Sequence, residues 1–119
     1  MEEHEIYNYK YGKLAFKNIS SYKAFFNDSL VYQEHINEQF RKYFVPKTNI
    51  LDVGANVGMF TLSFSKIAPD CKIHSFEAVD ITRKLLHKSI ELNELNNVEL
   101  YDFGLSNENK EVIIQVDLE

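Results

Sequence analysis

Leu51-Asp52-Val53-Gly54-Ala55-Asn56-Val57-Gly58 and, nineteen residues after Gly58, the triplet Phe76-Glu77-Ala78 decide how this chain folds. Ile50 to Val53 is a short apolar run suited to a strand buried on both faces. Gly54 permits a sharp turn and lets a ligand approach the main chain where a side chain would collide. Gly58 falls one turn into the next helix, where the missing Cβ allows helix and strand to pack closely. The free N–H groups at the start of that helix point at the crevice, ready for a carboxylate or phosphate. Glu77 closes a second apolar run, Lys72 to Glu77, on the same edge of the sheet. There an ionised carboxylate can accept hydrogen bonds from two neighbouring ribose hydroxyls. Together these are the parts of a nucleoside-cofactor crevice.

From Ile50 to about Val112 the chain resembles the first half of an FkbM-type, S-adenosylmethionine-dependent methyltransferase, through the pairing of DVGANVG with FEA. Ala78 stands where that family usually has proline. The resemblance implies an α/β, Rossmann-like class I methyltransferase fold with three α/β/α layers, truncated after the third core strand plus one returning strand. It implies S-adenosyl-L-methionine as cofactor. Gly54, Ala55, Asn56 and Gly58 would shape the turn against its methionine end, with Asp52 positioning the turn or meeting the amino group. Glu77 would hold the ribose, flanked by Phe76 and Ala78, and the adenine contact at the end of the third strand would fall on Asp102 and Phe103. The implied reaction is O-methylation of a small-molecule or sugar hydroxyl. The family's acidic motif beside the transferring methyl lies on a fourth core strand, which this sequence does not reach, so no catalytic residue is assigned.

Composition agrees with one small piece of an enzyme. The 119 residues, 45% of them apolar, can bury one core. A net charge of −5 with no basic stripe argues against a nucleic-acid footprint. Cys71 is the one cysteine, so no internal disulfide can form, and without a signal-type apolar segment the chain reads as cytoplasmic. No apolar run approaches the roughly 20 residues that span a bilayer. No set of metal ligands stands out.

Two regions follow one another, 1–45 ahead of the core and 46–119 as the partial cofactor-binding domain. Tyr7, Tyr9 and Tyr11 alternate with polar residues before Gly12-Lys13 and Leu14-Ala15-Phe16, which reads as a short strand or hairpin. The tyrosines form a half-buried strand face or a stacking platform for an aromatic acceptor. Asp28 or Ser29 caps a helix with Tyr32, Ile36, Phe40 and Tyr43/Phe44 at the 3.6 period, ended by Val45-Pro46. That helix covers the mouth of the crevice or packs on the sheet. His35, beside its apolar stripe, reads as a packing histidine before a base. A helix from Val57 to Ala68, a second capped by Asp80 and running to about Leu95, and a third strand from Val98 to Phe103 complete the alternation, with right-handed crossovers placing the strands in the order 3-2-1. Val112, Ile114, Val116 and Leu118 alternate with mostly polar partners, so a fourth strand is expected to return antiparallel beside the third.

Two other functional classes stay open. A dinucleotide-binding oxidoreductase is disfavoured because Gly54 and Gly58 frame G-x-x-x-G and not G-x-G-x-x-G. A non-catalytic fragment or oligomerising interaction module would bind no ligand. The outer edge of the first core strand lacks a partner in this chain, so association into a homo-oligomer, or cover from the N-terminal hairpin, is expected there.

Overall fold

The computed structural model describes residues 4–17 and 35–116. Two strands open the chain, β1 (Glu5–Tyr9) and β2 (Gly12–Phe16), paired antiparallel with Tyr7 opposite Leu14 and Tyr9 opposite Gly12. Residues 35–41 are helical (α1). The core then runs β3 (Asn49–Val53), α2 (Met59–Ile67), β4 (Lys72–Phe76), α3 (Asp80–Leu92) and β5 (Val98–Tyr101). β3, β4 and β5 form one parallel sheet in that spatial order, the 3-2-1 arrangement that the crossovers require. This is an α/β fold with a Rossmann-like parallel sheet.

The punctuation that ends each element is physical. Pro69 lacks an N–H and follows α2 by two residues, and Ala68 closes the helix by donating its N–H to the Phe64 carbonyl. After α3, Asn93 and Glu94 leave the helix, and Glu94 sits at φ 50. Asn97 then fastens the start of β5 to α2, its amide nitrogen donating to the carbonyls of Ser65, Ala68 and Cys71 while its carbonyl oxygen accepts from the Ser65 hydroxyl.

The sheet has two unlike faces. Ile73 and Ser75 point to the helix side and are fully buried, with Asp52 beside them. On the other face Leu51 and Val53 are 60% and 57% exposed, while His74, Phe76 and Tyr101 cover one another. The described residues therefore supply a helical layer to one face.

The hairpin lies over α2 and α3 and shares their core, with Leu14, Ala15 and Phe16 buried against Val57, Met59, Leu62 and Leu85. Its attachment is specific. Ala15 N–H donates to Ser89 Oγ, Lys13 N–H donates to Asn93 Oδ1, and Asn93 Nδ2 donates back to the Lys13 carbonyl. The expectation that the hairpin covers the open edge of β3 is therefore corrected: its polar backbone is anchored on α3, and it forms a separate two-stranded sheet. Tyr7 and Tyr9 stack on each other with centroids 6.2 Å apart, and Tyr9 Oη donates to the Met59 carbonyl, which is the half-buried face of the two readings.

α1 packs on α2. Phe40 and Phe44 meet Phe64 edge to face at 5.7 and 5.2 Å, and buried Asn37 accepts a bond from the Ser63 hydroxyl. His35 is exposed and lies 3.0 Å from Gln39 on the same helix. Asp28, Ser29 and Tyr32 fall outside the described residues.

The returning fourth strand does not form. Residues 104–116 have no strand pairing, and Val112, Ile113, Ile114 and Val116 are exposed. Leu118 lies outside the described residues. Alternation places apolar side chains on one side, but a strand also needs a paired edge and a layer to bury that side against. Neither is present over this segment.

Candidate functional site

The carboxyl ends of β3, β4 and β5 lie along one edge of the parallel sheet, where the turn from Gly54 to Gly58 leaves β3. Parallel pairing puts Asp52 beside Ser75 and Val53 beside Phe76. The chain then leaves β3 by hooking over the end of β4, where the N–H groups of Gly54 and Ala55 both donate to the Phe76 carbonyl at 3.0 Å. Gly54 has φ 72 and Asn56 φ 57, both in the left-handed region, and Gly58 closes the turn at φ 100 with its N–H on the Ala55 carbonyl. No side chain caps α2.

The two glycines differ in what surrounds them. A Cβ on Gly54 would have no atom within 4 Å, so this backbone faces open space. A Cβ on Gly58 would lie 2.4 Å from Leu86 Cδ1, so this glycine is where α2 and α3 touch.

Glu77 is fixed by main chain on both sides. Oε1 accepts from the Asn56 N–H at 2.8 Å and Oε2 from the Val79 N–H at 3.0 Å. Each oxygen keeps a lone pair after these bonds, so the carboxylate is oriented and can still accept from a ligand. Arg83 holds the loop behind it, donating to the carbonyls of Glu77 and Ala78 and pairing with Asp80 at 2.6 Å.

Asp52 turns toward α2 and accepts from the Thr61 hydroxyl at 2.6 Å. Burial holds its carboxyl above the ordinary range, the Thr61 hydroxyl bond pulls it back, and the nearby Glu77 charge pushes it up again. Thr61 Oγ1 also lies 2.6 Å from Ser75 Oγ.

The Phe76 ring is buried and stacked on Tyr101 at 4.6 Å, and it is the Phe76 carbonyl that serves the turn. Phe103 is 49% exposed and leans on Phe76 and Tyr101 at 5.8 and 5.7 Å. Asp102 is exposed at the end of β5. A Cβ on Gly104 would meet Ala78 Cβ at 3.7 Å, so the chain after Phe103 comes back to the Glu77 loop.

The structure thus brings Asp52, the 54–58 turn, Glu77 and Ala78 together, with Phe103 beside them. Sequence reasoning missed Thr61, Ser75, the Val79 N–H, Arg83 and Tyr101. Only Arg83 left a signal, as the i,i+3 partner of Asp80. Shallow clefts at the opposite end of the sheet, one lined by Asp70, Cys71, Asn96 and Asn97, bring together no metal-holding group of His, Cys, Asp and Glu among the described residues. No helix among these residues is long and apolar enough to cross a membrane.

This geometry has counterparts. The chain is 34% identical over 59 residues to Methyltransferase 1 of Beauveria bassiana and 36% identical over 58 residues to Methyltransferase sdnD of Sordaria araneosa. Those stretches are 50% and 48% of this chain but 24% and 22% of the relatives, so the likeness spans about a quarter of their length. Among solved structures, a SAM-dependent methyltransferase from Agrobacterium tumefaciens superposes with a TM-score of 0.61 over 86% of this chain and 33% of its own, at 9% identity. The YcgJ protein of Bacillus subtilis gives 0.50 over 57% and 29%, at 20% identity. No protein-family model matches the chain. Over half its length the chain is similar in sequence to these two methyltransferases, and over most of its length it shares the fold of these solved structures.

Proposed function

We propose that this chain carries the cofactor-binding half of an FkbM-type methyltransferase and binds S-adenosylmethionine in the crevice at the ends of β3, β4 and β5. The observation that carries the reading is Glu77, held by the N–H groups of Asn56 and Val79 at the rim of a turn whose Gly54 faces open space. The residues fit the group: a fixed carboxylate for two ribose hydroxyls, a side-chain-free backbone for the methionine end, Asp52 for its amino group, and Asp102 with the half-exposed Phe103 for the adenine edge and face. When bound, the cofactor supplies an electrophilic methyl on a sulfonium. The chain's own contribution is to bind and orient it. The acceptor in this reading is a hydroxyl of a small molecule or sugar, and a cytoplasmic setting fits the single buried thiol of Cys71.

Calorimetric titration of the chain with S-adenosylhomocysteine and, separately, NAD tests this. Saturable binding of the first alone is expected. Binding of NAD alone would make the crevice a dinucleotide site, and a folded chain that takes neither would be a non-catalytic module.

The open edge of β3 supports a further part of the reading, self-association. Its outer N–H and C=O groups have no strand partner among the described residues, and Leu51 and Val53 stand exposed beside them. An unpaired apolar edge is a template for a second copy. Light scattering is expected to give at least twice the chain mass, and Leu51→Lys to shift it toward one chain. A parent that stays monomeric at high concentration removes this part.

A further inference from the structure

Three side chains from three elements, Thr61 and Ser75 buried and Asp52 partly buried, are linked through their oxygens beside the glycine turn. Asp52 belongs to β3, Thr61 to α2 and Ser75 to β4, and both links between them are 2.6 Å. Thr61 and Ser75 are 1% and 0% exposed. A hydroxyl has one proton to give, and a carboxylate can only accept. With Asp52 ionised, the Thr61 proton is committed to Oδ2, so the proton between the two hydroxyls must be the one on Ser75. The direction is fixed: Ser75 donates to Thr61, and Thr61 donates to Asp52. Such chains polarise along their length and strengthen the terminal bond.

We propose that Thr61 and Ser75 are positioning residues, a two-hydroxyl relay that orients Asp52 and keeps it a carboxylate for the α-ammonium group of the cofactor. The inference rests on the cofactor reading above and names how the methionine end is recognised.

The surroundings show why a relay is needed. Glu77, at the end of β4, sets a like charge near Asp52 and acts with burial to favour the neutral acid. α2 brings no acidic residue in its first turn, and its Lys66 stands in the last. Arg83 of α3 is committed to the Glu77 and Ala78 carbonyls and to Asp80. His74 lies on the other sheet face, bonded to Asn49 and Tyr101. What opposes the neutral form is Thr61, through its hydroxyl and, more weakly, its main-chain N–H. Protonating Asp52 removes the acceptor for an ammonium, so affinity falls as pH drops through its titration. Without the Thr61 hydroxyl that fall begins at higher pH.

The test is calorimetry of the whole chain with S-adenosylhomocysteine across pH, combined with carbon NMR titration of the Asp52 carboxyl in ligand-free protein. Thr61→Val keeps the volume and removes the hydroxyl. It is expected to bind within about twofold of the parent in mild alkali and about tenfold more weakly in mild acid. The Asp52 carboxyl should titrate at higher pH in this variant, and Thr61→Ser should restore both readouts. Ser75→Ala should move both in the same direction by less, and it decides the matter if Thr61→Val does not fold. Equal loss of affinity at every pH with an unmoved carboxyl titration overturns the relay alone. A folded parent that binds no S-adenosylhomocysteine at any pH overturns the cofactor reading, and the relay's assignment with it.

Discussion

Glu77→Ala is expected to abolish measurable S-adenosylhomocysteine binding while leaving the chain folded. The carboxylate does two jobs. It accepts from Asn56 and Val79, which fixes the turn against the loop after β4, and in the proposed function its remaining lone pairs would accept from the ribose. Hydrogen bonds to a charged group contribute about 1.5–3 kcal/mol each, so losing two to the ligand weakens binding by roughly two to four powers of ten. Glu77→Gln separates the jobs. Its single carbonyl oxygen can serve one of the two N–H groups, and its amide nitrogen must then face the other, donor against donor. The melting temperature of this variant should fall if the half-buried Val79 N–H is the donor left unmet, and change little if it is the exposed Asn56 N–H, which water can serve. Calorimetry and thermal melting of both variants read these outcomes. Parental affinity in Glu77→Ala would remove the ribose assignment.

The second large effect distinguishes two glycines that look alike in the sequence. Gly58→Ala places a methyl 2.4 Å from Leu86 Cδ1, so the fully buried leucine must shift within the core. A left-handed conformation costs an L-residue about 1–2 kcal/mol and overpacking about 1–3 more, so a loss of about 2–5 kcal/mol is expected. For a domain of this size the melting temperature should fall by at least about 10 °C. Gly54→Ala meets no atom and bears only the backbone cost, about 1–2 kcal/mol. Its methyl projects into the crevice, so ligand binding should suffer far more than stability. Parental ligand affinity in Gly54→Ala would mean that the space in front of Gly54 is not a binding site.

The alternation of the core was legible because apolar runs and their breakers carry it. Val53 ends the first core strand, Lys72 starts the second and Val98 the third, each where read, and Asp80 begins α3. Gly54, Gly58 and Glu77 were legible because each needs an unusual property, a missing Cβ or a charge at a strand end. Phe76 was read as a cofactor contact, yet its ring packs on Tyr101 and its carbonyl serves the turn, a division that residue type does not reveal. The link from Asp52 through Thr61 to Ser75 was not legible. It depends on the β3–β4 register and on the rotation of α2, and no spacing in the chain encodes either. The segment from Val112 to Val116 failed for the opposite reason: its period was clear, but period says nothing about whether an edge awaits it.

The hook at the end of β4 ties the crevice to the order of assembly. Gly54, Ala55 and Asn56 give three successive N–H groups to Phe76 and Glu77, more than twenty residues later in the chain. None of these bonds can exist before β4 has docked through its α2 crossover, a non-local step in folding. A slip of one residue in that docking would turn Glu77 to the wrong side of the sheet and offer the turn a different carbonyl. The turn therefore forms only when the strands are in register, and a ligand held there would select, by mass action, the molecules so paired.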